Sequence, residues 1–99
     1  MNKIILSSAA LHRILYELIT PLIPEQDDYE IEVCCKNKTL SFGKLERTLD
    51  VESKSDWSIE IRIGQLRKLF RILTNFEEQP LVISFQNSQN WIEIFNVLI

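Results

Sequence analysis

Residues 57–73 read Trp57-Ser58-Ile59-Glu60-Ile61-Arg62-Ile63-Gly64-Gln65-Leu66-Arg67-Lys68-Leu69-Phe70-Arg71-Ile72-Leu73. Trp57, Ile59, Ile61 and Ile63 alternate with Ser58, Glu60 and Arg62, the period of a strand with one buried face. From Leu66 the period changes, because Leu66, Leu69, Phe70 and Leu73 stand at i, i+3, i+4 and i+7, one apolar stripe of a helix. A strand therefore runs directly into a helix. The same switch stands earlier in the chain: Ile4, Leu6, Leu11, His12, Arg13, Ile14, Leu15 and Leu18 lie without gaps on Ile59, Ile61, Leu66, Arg67, Lys68, Leu69, Phe70 and Leu73.

The match continues beyond the helices. Glu30 to Asn37 can be laid on Pro80 to Asn87, and Leu40 and Phe42 on Ile92 and Ile94, with differences in length confined to the helix-to-strand loop and the hairpin. This predicts an internal repeat, residues 1–52 and 56–99 within a single domain 1–99, each half a strand-helix-strand-strand unit. In the first half the reading is a strand Lys3 to Leu6, then a helix capped by Ser7 or Ser8, running to about Thr20 and ended by Pro21 and Pro24. Glu25 to Asp28 reads as a solvated acidic loop. A strand from Tyr29 to Lys36 follows, then a tight turn at Asn37-Lys38, a return strand through Leu40 and Phe42, a turn at Gly43-Lys44 and a third strand from Leu45 to Val51. In the second half, Leu81 to Gln86, a turn at Asn87 to Asn90 and a last strand Trp91 to Val97 follow the helix. The fold class expected is α+β, an antiparallel sheet with both helices on one face.

The chain's 99 residues suit one core without metals or disulfides, and 45% hydrophobic with 25% charged residues is ordinary globular composition. A formal charge of -3 argues against a surface that is basic throughout, leaving only a local basic face open. Met1-Asn2-Lys3-Ile4-Ile5-Leu6 turns polar too early for a signal peptide and no later apolar run approaches a membrane span, so a cytoplasmic protein without membrane contact is expected. Cys34 and Cys35 are adjacent, point to opposite faces of a strand and make poor disulfide partners, which fits a reducing compartment.

Strand-helix-strand-strand-strand, repeated with helices on one face, resembles one domain of a DNA sliding clamp, the fold of bacterial polymerase clamps and of proliferating cell nuclear antigen. Ile59 to Leu69 is similar to the strand-into-helix passage of such domains, and Pro80-Leu81-Val82-Ile83-Ser84-Phe85 to the strand after it. The resemblance is topological. It implies a ring of about six domains, assembled here from separate copies, with helices turned toward the duplex. Two departures stand against it: the second half ends after two strands where a clamp half has three, and the chain holds one domain where clamp subunits carry two or three.

The outward face of the second helix, Arg67, Lys68 and Arg71 with Asn75, is a basic stripe able to meet phosphates, and the first helix adds His12 and Arg13 more weakly. These five charged or titratable side chains are the candidate nucleic-acid contacts; the plain alternative is a solvated helix face. Catalysis is not expected. His12 is the single histidine and helical phase turns it to solvent, away from Cys34 and Cys35, while both glycines stand alone, so no nucleophile pair, zinc set or phosphate loop forms. Asp27-Asp28 and Glu77-Glu78 read as solvating pairs. No cofactor, metal or small-molecule substrate is expected. The apolar end of the chain, with Trp91, Phe95, Val97, Leu98 and Ile99, calls for cover by a protein partner or another copy, unless the strand is buried on both faces. The second functional reading is a small adaptor, of the immunity or antitoxin type, that holds one protein through this edge or through the acidic surface of Glu25 to Glu32, Glu46, Asp50 and Glu52.

Overall fold

The computed structural model describes residues 2–86, 91–94 and 97–98. In chain order these form β1 (Asn2–Ser7), α1 (Ser8–Ile19), a 3₁₀ turn (Pro24–Gln26), β2 (Glu30–Lys36), β3 (Thr39–Phe42), β4 (Leu49–Asp50), β5 (Glu52–Ser53), β6 (Trp57–Arg62), α2 (Ile63–Leu73), β7 (Pro80–Gln86), β8 (Trp91–Ile94) and β9 (Val97–Leu98). The class is α+β, and the strands divide into two antiparallel sheets rather than the single sheet expected. The first sheet runs β5-β1-β7-β8-β9 and the second β4-β3-β2-β6.

Two sheets arise because the leading strand of each half leaves its own hairpin and pairs with the other's. β1 pairs with β7, with Ile4 opposite Ile83 and Leu6 opposite Leu81. β6 pairs with β2, with Ile59 opposite Val33 and Ile61 opposite Ile31. The hairpins keep one register too: Val33 faces Phe42 and Cys35 faces Leu40 in the second sheet, as Ile83 faces Ile94 and Phe85 faces Ile92 in the first. Each helix also starts on a matching bond, Ser8 N–H to the Gln79 carbonyl at 2.9 Å and Ile63 N–H to the Tyr29 carbonyl at 2.8 Å.

Inward-facing residues of both sheets and the apolar stripes of both helices form one core, in which Leu11, Leu15, Val33, Ile61, Leu66, Leu69 and Ile83 have no exposed surface. Alternation in β6 and the helical period in α2 put these residues there, as their spacing requires. Ser7 caps α1, its hydroxyl accepting the Ala10 N–H at 3.2 Å, while the neighbouring Ser8 hydroxyl donates to the Glu77 carbonyl and accepts the Gln79 N–H. Asn37 and Lys38 both take positive φ, 53° and 61°, the mirror-type hairpin turn.

The predicted strand from Leu45 to Val51 is broken. β4 pairs with β3 and β5 with β1, so the chain crosses from one sheet to the other at buried Val51, and no straight strand can serve both. The predicted strand from Trp91 to Val97 likewise folds back, with Ile94 opposite Val97 and Glu93 opposite Leu98, which supplies the third strand that the second half was expected to lack. The turn expected at Asn87 to Asn90 lies outside the described residues.

Candidate nucleic-acid interface

The two helices pack side by side, and a line of side chains marks their seam. The His12 ring stacks on Phe70 with centroids 4.6 Å apart and planes 12° from parallel, and its Nε2 lies 3.2 Å from the Thr74 hydroxyl. Tyr16 tilts against the same phenyl ring at 6.2 Å. Helical phase gave the direction of His12 relative to its own sheet; it could not show that a second helix lies there. His12 is thus half-buried in the seam, not turned freely to solvent.

Arg67 departs from expectation in the same way. Its side chain is 15% exposed, and its Nε donates to the Asp27 carboxylate at 2.9 Å. Asp27 also accepts the Gly64 N–H through its carbonyl at 2.9 Å, so the residue ties the loop before β2 to the first turn of α2. The segment read as a solvated acidic loop is in this part a structural anchor. Gly64 is the overlooked signal, since a Cβ there would come within 3.2 Å of the Asp27 carbonyl oxygen.

Arg13, Lys68 and Arg71 remain exposed on the helix layer. An open groove of about 390 Å³ runs between the helices, lined by Ser8, His12, Arg13, Thr74 and the exposed rings of Tyr16 and Phe76, so that of the three cations Arg13 borders it. Glu17, at the margin of α1, is engaged by Arg47 at 2.8 Å, which reduces the negative charge presented beside Arg13. Glu78 stands at the other end, accepting from the Ser7 hydroxyl. The groove therefore brings one exposed cation, Arg13, beside two exposed aromatic rings.

The remaining candidates are at the chain's end. Trp91 lies in β8 and Val97 and Leu98 in β9, with their side chains outside the described residues; Phe95 and Ile99 lie outside them altogether. Among the described residues no three His, Cys, Asp or Glu side chains gather as a metal-ligand group, and no helix is long and apolar enough to cross a membrane. Cys35 is buried and Cys34 half-buried, both as free thiols. Comparison with protein-family models, curated proteins and solved structures gives no match for this chain.

Proposed function

We propose that this chain is a non-catalytic, clamp-like binding module that assembles edge to edge and meets nucleic acid through its helix layer. The observation that supports the reading is the exchange of β1 and β6 between halves in equivalent registers, the arrangement that two similar units folded into one domain would give. Clamp subunits join through sheet edges. By the same correspondence β9 and β4 close equivalent ends of the two sheets, so β9 of one copy can extend to β4 of the next. Arg13, Lys68 and Arg71 are the exposed cations of the helix layer and would meet phosphates, with His12 and Arg67 supporting that layer from within.

The decisive experiment pairs absolute mass by light scattering with duplex binding by fluorescence anisotropy across a salt series. A mass near six copies is expected, together with an affinity that Lys68→Glu/Arg71→Glu lowers at least about tenfold and whose salt dependence becomes shallower. A monomer without affinity for nucleic acid overturns the reading. The adaptor reading then stands in its place, favoured by the groove between the helices, where an extended partner could seat a side chain beside Tyr16 and Phe76.

A further inference from the structure

The two sheets differ at one position. In the first, β5 flanks the outer side of β1, with Ile4 opposite Ser53 and Ile5 opposite Glu52. In the second, β6 is the terminal strand and no described strand flanks it. The other sheet ends, β4, β5 and β9, are two-residue strands, whereas β6 is six residues long. A six-residue edge offers a longer row of backbone donors and acceptors for pairing than a two-residue one.

The register identifies those groups. Ile63 donates its N–H to the Tyr29 carbonyl, in line with the Ile61–Ile31 pair, so Ile59 and Ile61 direct their backbone groups to β2. By antiparallel alternation Ser58, Glu60 and Arg62 direct theirs to the open side. The chain then turns toward Tyr29 and Asp27, because Gly64 N–H donates to the Asp27 carbonyl, and so the start of α2 leaves on the β2 side.

Charge indicates what can pair there. Across β2 and β6 Arg62 stands opposite Glu30 while Glu60 stands opposite Glu32, a like-charge pair that would gain from a cation on the other side of Glu60. Glu60 and Arg62 are both exposed and share the outer face. A second copy of β6, run antiparallel about Ile61, brings its own Arg62 opposite Glu60 and its own Glu60 opposite Arg62. Both pairs then join residues whose backbone groups point at the partner. The neighbouring register, centred on Glu60, would instead set Glu32 and Glu60 of each copy in one row of carboxylates.

We propose that β6 is a self-pairing edge, through which two copies form a symmetric dimer with Glu60 of each facing Arg62 of the other. The second sheets of the two copies then become one continuous sheet. This edge is separate from β4 and β9, so the inference does not depend on ring assembly or on nucleic acid.

Sedimentation velocity over a concentration series tests it on the intact chain. A self-association step carried by β6 is expected, seen as a monomer–dimer equilibrium where no ring assembles and as pairing between rings where one does. Glu60→Arg and Arg62→Glu, each setting like charges opposite one another twice, should each raise the dimer Kd at least about tenfold, and the double exchange Glu60→Arg/Arg62→Glu should restore it. Glu60→Gln provides a variant whose fold is not in question, since it relieves the repulsion from Glu32: it should unfold no more easily than the parent yet dimerise more weakly. A chain that stays monomeric throughout, or an assembly of any size indifferent to both single reversals, overturns the proposal. An indifferent assembly near six copies would leave the clamp reading intact while removing this one.

Discussion

The pairing of Arg67 with Asp27 shows how a surface-looking charge acquires a structural task. Periodicity places Arg67 beside the apolar stripe of α2, and from the helix alone it is one of three cations on a basic stripe. The 3₁₀ turn brings Asp27 against it, leaving the side chain 15% exposed with its second terminal nitrogen buried and without a described partner. A charge so placed depends on its counterion more than the counterion depends on it. Asp27→Ala is therefore expected to cost about 1–3 kcal/mol in urea unfolding, because it leaves the charge half-buried and alone. Asp27→Ala/Arg67→Met, which removes both charges, should cost less than Asp27→Ala. Equal or larger loss in the double variant would mean that packing of the arginine stem, not the charge, holds the loop. The sequence contained both residues but no indication of their meeting, since they come from different halves and only the fold sets them together.

Among the elements, legibility followed locality. The helices, β2, β3, β6, β7 and the turn at Asn37-Lys38 were readable because the side chains that decide them are neighbours along the chain, and alternation or helical spacing expresses burial directly. The segment from Leu45 to Ser53 was not, because its break at Val51 is imposed by two sheets competing for one short length of chain. His12 failed for a related reason: a helix reports the face turned to its sheet, not the face turned to another helix. The turn itself carries a strained choice. Lys38 holds φ at 61°, a left-handed conformation that costs about 1–2 kcal/mol in an ordinary residue and nothing comparable in glycine. Lys38→Gly removes that strain, while the glycine's greater freedom in the unfolded chain takes back about 0.5–1 kcal/mol. The net expectation is a gain of about 0.5 kcal/mol and a melting temperature higher by about 2–4 °C. A lower melting temperature would show that the lysine side chain contributes packing or charge that outweighs the strain.

For the molecule as a whole, the spacing of apolar residues in the two halves did not tell that they interlock, because such a pattern records which residues are buried and not which strands they lie beside. The interlocking governs stability. β1 has β7 along one side and β6 has β2, so each half supplies a strand without which the other's hairpin loses a principal neighbour. The helices meet across the same divide through His12, Phe70 and Thr74, and Ser8 closes it again by bonding Glu77 and Gln79. A half standing alone would expose the inward faces of its strands and helix, too little core for independent folding at that length. Separate peptides covering residues 1–54 and 55–99 should therefore lack native far-UV dichroism and any cooperative thermal transition, and an equimolar mixture should recover both. Ile59→Ala, at a position only 4% exposed and opposite Val33, should weaken that recovery by the equivalent of about 2–5 kcal/mol, because the cavity opens on the surface joining the halves. Cooperative melting of either peptide alone would mean that strand exchange is a late docking of two finished units. Recovery on mixing alone would mean that neither half has a fold to keep, and that the two are stable only as a pair.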